Sequence, residues 1–327
     1  MTKVFVCDLE PNKRVESPFL ARNRSLQRFR NKPGQYLSIT LADKTGEIQA
    51  KAWDSAEQLA EGFEAGDVIL IRGRVDEYQG TPQIIIDRLR KCSDEDIDPE
   101  DYIAATTRDV GELLEQIGEI VQTVQEPHLR QLLDSFLEDE QFVAAFTRSP
   151  AAKRLHHSYI GGLVEHVGEV MRICDRVCEV HPQLNRDLVL SAAMLHDIGK
   201  MVELDYDTDI DYTDEGRLIG HVLMGDRMVQ DAIDTVGGFP EHLRMLLRHV
   251  ILSHHGHREW GAPIEPMMAE AIALHYADIM DAKIRQFSDV AAETAAAGRT
   301  WSEWQRMLER YVYAGQLSEK ARQRNEP

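Results

Sequence analysis

The run Leu188 to Leu195 is apolar almost all round, and it ends on a histidine and an aspartate: Met194-Leu195-His196-Asp197-Ile198-Gly199-Lys200. A helix with no polar face belongs at the centre of a helical domain. An imidazole and a carboxylate at the end of such a helix are costly to bury unpaired. A divalent transition metal removes that cost, because neutral imidazole and carboxylate are its natural ligands. The chain is therefore expected to carry further ligands on the inward faces of neighbouring helices.

It does. Upstream, Leu163, Val167, Val170, Cys174 and Val177 form one apolar helical stripe with His166 at its edge. Downstream, Leu218, Val222 and Val229 form a second stripe beside His221, and Leu243, Leu247, Val250 and Ile251 lead into His254-His255. Ala271, Leu274 and Asp278 share a face of the last helix of this region. These inward imidazoles and carboxylates exceed the needs of one ion.

The ordered set His … His-Asp … His … His-His … Asp over about 150–290 resembles the HD superfamily of metal-dependent phosphohydrolases. His221 and His254-His255 resemble the members that hold two metals. The resemblance implies that His166, His196, Asp197 and Asp278 hold one ion, and that Asp197 bridges to a second held by His221, His254 and His255. Two such ions activate a water for in-line attack on phosphorus. A nitrogen-rich set favours Mn, Fe, Co or Zn over Mg, and the resemblance points to Mn²⁺.

A chain of 327 residues has room for more than this domain. Its net charge of −19 is unevenly spread: 1–92 balance at +2 and the rest at −21. Within 13–32, Lys13, Arg14, Arg22, Arg24, Arg28, Arg30 and Lys32 stand against Glu16 alone, so this segment is a candidate phosphate contact. Tyr36–Leu41 and Glu47–Trp53 alternate around a turn at Asp43–Gly46, and Asp67–Val75 and Pro82–Asp87 read as further strands. With a short helix at Ser55–Phe63, the pattern predicts a small Greek-key barrel. It resembles the OB-fold, which binds single strands by stacking bases on aromatics beside a basic groove. Tyr36, Trp53 and Tyr78 are the candidate platforms and Arg22, Arg24 and Arg28 the candidate cations.

The expected fold is thus multidomain: an N-terminal all-β OB-fold barrel followed by an all-α HD domain. The boundaries are 1–92 for the barrel, 93–107 for an acidic linker, 108–150 for a helical lead-in, 151–290 for the HD domain and 291–327 for a C-terminal helix and tail. Helices are expected at roughly 109–125 and 128–146. In the tail, Trp301, Trp304, Leu308 and Tyr311 fall on one helical face, which needs a surface to cover, either its own HD domain or another subunit of a homo-oligomer. Glu203 to Asp211 reads as a solvated acidic loop.

Between lead-in and HD domain lies His156-His157-Ser-Tyr-Ile-Gly-Gly-Leu-Val-Glu-His166. This run, Gly220-His221, Arg248–Gly256 and the barrel-then-HD order resemble the YhaM-type 3′→5′ exoribonucleases. The resemblance implies hydrolysis of single-stranded RNA, or also single-stranded DNA. Asp197, Lys200 and His157 are then candidate catalytic residues, with His156, His157 and Lys200 as candidate phosphate contacts. Two other readings are an HD phosphohydrolase of a small nucleotide, with a regulatory barrel, and a non-catalytic RNA-binding protein. The chain has no apolar run near the length of a membrane span, its short and soon charged start, Met1-Thr2-Lys3-Val4-Phe5, is not expected to act as a signal peptide, and its four cysteines are scattered. A reducing cytoplasm is expected.

Overall fold

The computed structural model describes residues 3–29, 33–78, 80–153 and 157–315. His156, Arg30 and Lys32 lie outside the described residues. Two compact units divide the chain: Met1–Ala105 with Asp205–Asp211, and Thr106–Leu204 with Tyr212–Pro327.

The first unit is a closed barrel. Its strands are β1 (Arg14–Arg28), β2 (Gln35–Asp43), β3 (Gly46–Ala52), β4 (Val68–Tyr78) and β5 (Thr81–Lys91), in the order β1-β2-β3-β5-β4. All neighbours are antiparallel except β3 and β5. Period-two alternation sends Leu37, Ile39 and Leu41 of β2 into the core with Ala50, Ala52, Ile69, Ile71 and Ile84. A short helix, α1 (Ala56–Glu61), adds Ala56 and Ala60 to that core.

The expected acidic linker instead packs on this unit. Tyr102 is buried with Leu20, Ala42, Val68 and Cys92, and the Lys44 backbone amide donates to the Asp101 carbonyl. The barrel unit therefore runs past residue 92 to Ala105. The negative charge there is real, but Tyr102 and Ile103 give the segment apolar surface to bury.

The second unit is helical: α2 (Val110–Val121), α3 (Pro127–Leu137), α4 (Glu140–Arg148), α5 (Gly162–Val180), α6 (Arg186–Leu195), α7 (Lys200–Glu203), α8 (Asp214–Ile219), α9 (His221–Val236), α10 (Glu241–Ser253) and α11 (Ala269–Ala296). A single helix over 128–146 is not formed. The Asp139 carboxylate accepts from the amides of Gln141 and Phe142, which caps a new helix and separates α3 from α4. Every residue of α6 from Leu188 to Leu195 is buried, as a central helix requires. The lead-in helices share its core through Leu113, Ile117, Leu132 and Phe146.

The segment 301–313 is not a helix. α11 runs on to Ala296, and beyond it Trp301 and Tyr313 pair in an isolated antiparallel bridge, as do Gln305 and Arg310. Leu308, Val312 and Ala314 turn inward against Ala291, while Trp301, Trp304 and Tyr311 stay exposed. Chain closure through these bridges orders the segment instead of a helical face.

Candidate metal centre

The centre assembles at the C-terminal end of α6. Asp197 is almost fully buried, and its two oxygens face opposite ways. Oδ2 lies 3.4 Å from His166 Nε2 and 3.4 Å from His196 Nε2. Oδ1 lies 3.5 Å from His221 Nε2 and 3.6 Å from His254 Nε2. Asp278, on α11, meets His166 Nε2 at 3.3 Å through Oδ1. His255 Nε2 is 3.2 Å from His221 Nε2. Among the described residues three groups of ligand atoms result, His166-His196-Asp197, His221-His254-His255 and His157-His166-Asp281, each with all its atoms within 4.8 Å of one another.

The far nitrogen of each of four rings is held. His166 Nδ1 donates to Asp281 Oδ2 at 2.7 Å, and His221 Nδ1 to Glu203 Oε1 and Oε2, both at 3.0 Å. His196 Nδ1 and His254 Nδ1 donate to the carbonyls three residues back, Ala193 at 2.8 Å and Ile251 at 2.7 Å. A hydrogen on Nδ1 leaves the lone pair on Nε2, aimed inward. His196 Nε2, His254 Nε2 and Asp197 Oδ1 are buried with no hydrogen-bond partner. Buried polar atoms are normally satisfied, so this donor set fits divalent cations.

Backbone approach matters as much as side chains here. A Cβ on Gly199 would sit 2.1 Å from the His221 carbonyl oxygen, so only glycine lets the segment after Asp197 touch the start of α9.

The charges follow from burial. His196 is pushed down to about 4 and His255 to about 3, in both cases mainly by burial, with His254 adding repulsion. Burial alone would also lower His166, but hydrogen bonding to Asp197, Asp278 and Asp281 outweighs it and raises that imidazole well above its usual value. Burial would raise Asp197, yet Lys200 and His196 hold it well below the usual carboxylate range. Lys200 Nζ lies 2.5 Å from Asp197 Oδ2 with a side chain 12% exposed, so it opens a short helix beside the cluster.

All seven expected ligands thus converge. Other expectations change. His157 has no exposed surface; its Nε2 lies 3.2 Å from Asp281 Oδ2 and its Nδ1 2.9 Å from the Tyr159 hydroxyl. It backs the cluster and does not face an incoming phosphate. Glu203 is buried beneath His221, not solvated in an acidic loop. Asp281 and Glu203 were missed as site residues. Asp281 could have been found, since it lies one helical turn from Asp278 on the same face.

On the barrel, Tyr36 and Trp53 share a face with Phe29: centroids are 5.0 Å apart for Tyr36–Trp53, 5.4 Å for Phe29–Tyr36 and 6.0 Å for Phe29–Trp53. Lys51 Nζ stands 5.7 Å from the Trp53 ring and 5.3 Å from the Tyr78 ring. Trp53 and Tyr78 are exposed. The arginines do not pave this face. Ser25 and Gln27 stand opposite Ser38 and Tyr36, so alternation puts Arg24 and Arg28 on the other side of β1. Arg24 instead pairs with Glu64 at 2.5 Å, and Arg22, at the β1 register shift, pairs with Glu47 at 3.1 Å.

A closed nucleic-acid-type barrel on the same chain as a helical His/Asp centre defines a two-module metal-dependent phosphohydrolase. The OB-fold nucleic acid binding domain family matches residues 22–91, and the HD domain family matches residues 163–283. The chain is 32% identical over 264 residues to the 3′-5′ exoribonuclease YhaM of Geobacillus sp. (strain WCH70), covering 80% of each chain. It is 35% identical over 265 residues to that of Shouchella clausii, covering 80% of this chain and 82% of the relative. For the Listeria welshimeri protein the figures are 32% over 288 residues, 88% and 91%. This chain belongs to the YhaM 3′-5′ exoribonuclease family.

Proposed function

We propose that this protein is a 3′→5′ exoribonuclease that hydrolyses single-stranded RNA at a two-ion centre. The observation that carries the reading is Asp197, which turns one oxygen to each of two histidine groups while the Nε2 atoms of His196 and His254 point inward without partners. Bound divalent ions supply an activated water and neutralise charge developing on the phosphoryl oxygens. His166, His196, Asp197 and Asp278 would hold one ion, and Asp197, His221, His254 and His255 the other. Five imidazoles in the set favour Mn, Fe, Co or Zn over Mg, and among these the family resemblance points to Mn²⁺.

The chain's own residues do the rest. Lys200 keeps Asp197 ionised and places a cation beside the cluster, where a phosphate oxygen can be held. Phe29, Tyr36, Trp53 and Tyr78 offer ring faces to successive bases, with Lys51 between two of them for the backbone. Stacking does not read the 2′-hydroxyl, so the barrel accepts single-stranded DNA as well. Among the described residues no helix is long and apolar enough to cross a membrane. Free Cys7, Cys92, Cys174 and Cys178 suit a reducing cytoplasm. The exposed rings of Trp301, Trp304 and Tyr311 support self-association, which light scattering would read.

The test is a time course on 5′-labelled single-stranded RNA with metal-stripped protein and added Mn²⁺. A ladder shortening from the 3′ end is expected. An intact oligonucleotide, with phosphate released from small nucleotides instead, would replace this reading with a nucleotide phosphohydrolase.

A further inference from the structure

We propose that Asp281 is a positioning residue of the metal centre, locking the ring and tautomer of His166, and that a buried relay through His157, Tyr159, Glu165 and Thr106 holds Asp281 in place. The inference rests on His166 being a ligand, as proposed above.

Asp281 lies one turn beyond Asp278 on α11 and is 7% exposed. The two carboxylates meet opposite nitrogens of one ring. Asp278 Oδ1 is 3.3 Å from His166 Nε2, and Asp281 Oδ2 is 2.7 Å from His166 Nδ1. Asp281 therefore stands behind the ring, away from the inward lone pair. An ionised carboxylate only accepts hydrogen bonds. With Asp281 ionised, Nδ1 of His166 must carry a hydrogen, and Nε2 is the nitrogen left for coordination. Carboxylate–histidine pairs of this kind orient metal-binding rings and raise their basicity.

The same oxygen also meets His157 Nε2 at 3.2 Å, so that nitrogen too must donate. His157 Nδ1 lies 2.9 Å from the Tyr159 hydroxyl oxygen. That hydroxyl donates to Glu165 Oε2 at 3.0 Å, and the same carboxylate oxygen accepts from Thr106 Oγ1 at 2.6 Å. Arg108 and Arg285 reach Glu165 Oε1 at 3.9 and 3.5 Å.

Two backbone features shape this arrangement. His157 is held at φ +52°, a conformation side chains rarely adopt. A Cβ on Gly162 would lie 2.1 Å from the His157 carbonyl oxygen, so the loop closes on the start of α5 only with glycine there. The His157-Ser-Tyr159-Ile-Gly-Gly162 motif thereby gains a role in positioning Asp281.

The test compares wild type with Asp281→Asn, His157→Gln and Tyr159→Phe. Metal-free protein is titrated with Mn²⁺ by calorimetry, and the visible spectrum of the Co²⁺-loaded protein reports the ligand field. Asp281→Asn can turn its amide N–H toward Nδ1 and favour the wrong tautomer. It is expected to weaken the affected site by about 10–100-fold and to shift the Co²⁺ bands. His157→Gln and Tyr159→Phe, further along the relay, are expected to weaken it by about 2–10-fold, below the direct contact. They also carry the test if Asp281→Asn does not fold. Wild-type affinity and an unchanged spectrum in folded variants, with only a lower melting temperature, would overturn the relay. Wild type that takes up no metal would overturn the ligand reading itself, and the relay with it.

Discussion

The two halves of the centre are built from the same parts in different proportions. Each has one ring backed by a carboxylate and one backed by a backbone carbonyl: His166 on Asp281 and His196 on Ala193, against His221 on Glu203 and His254 on Ile251. They differ in charge and in burial. The His166 half has Asp278 in addition to its share of Asp197, and both its imidazoles are fully buried. The other half completes its set with a neutral imidazole, His255, and its His221 side chain is 13% exposed. Carboxylate charge in a dry site binds a cation more strongly than neutral nitrogen does. The first half should therefore hold its ion longer, and the second should exchange.

The change that erases this comparison is Asp197→Ala. It removes both oxygens, one from each half, so both ions should be lost. Activity on labelled RNA should fall by more than about 10³-fold, beyond the 10²–10³ typical of one preorganised electrostatic contact. Metal analysis of the folded variant checks it, and one retained ion would break the idea of a shared ligand. The sharper probe is His254→Ala. It should leave one ion in the His166 half by native mass spectrometry, at wild-type affinity, with hydrolysis gone. Loss of both ions would mean that the halves do not bind independently.

Proton uptake separates the halves by another route. The carboxylates around His166 raise its imidazole above its usual value despite burial, so an ion at Nε2 competes with a proton there. Metal uptake in the first half should therefore release a proton at pH 7, and affinity should fall as pH falls, by about tenfold per unit. His196, held down to about 4, and His255, held down to about 3, are already neutral and release nothing. Calorimetry in buffers of different ionisation enthalpy reads the difference. Glu203→Gln should then weaken only the second half, by about 10–100-fold, as loss of an orienting carboxylate does.

Much of this was open to inspection before the fold was known, and the parts that were not share a cause. The proposed ligands His166, His196, Asp197, His221, His254, His255 and Asp278 stand out because each lies within, beside or at the end of an apolar stripe. Glu203 does not, because it begins a run of acidic residues and nothing local separates the one carboxylate that turns under His221 from those that face water. Phe29 sits one residue past β1, beyond the reach of strand alternation. The register shift near Arg22 hides which side of β1 its arginines take, and charge alone suggested a phosphate groove where ion pairs stand. Trp301, Trp304, Leu308 and Tyr311 do have helical spacing. Spacing says nothing of the Trp301–Tyr313 bridge, which needs residues twelve apart.

The barrel gives the smallest and most discriminating effects, because its two faces predict opposite outcomes. Trp53→Ala removes a ring from the Phe29–Tyr36–Trp53 group, and each lost base stack should cost about 1–3 kcal/mol of single-strand affinity. Arg24→Ala removes a cation from the other side of β1, where it pairs with an exposed Glu64 and lies over the Phe63 ring. An exposed ion pair contributes about 0–1 kcal/mol to stability, so a small drop in melting temperature is expected. Anisotropy with a metal-free protein and a labelled RNA should find the affinity of Arg24→Ala unchanged. If that variant instead weakens binding and flattens its salt dependence while Trp53→Ala does not, the strand runs over the arginine side and the aromatic face is only a capped edge of the core.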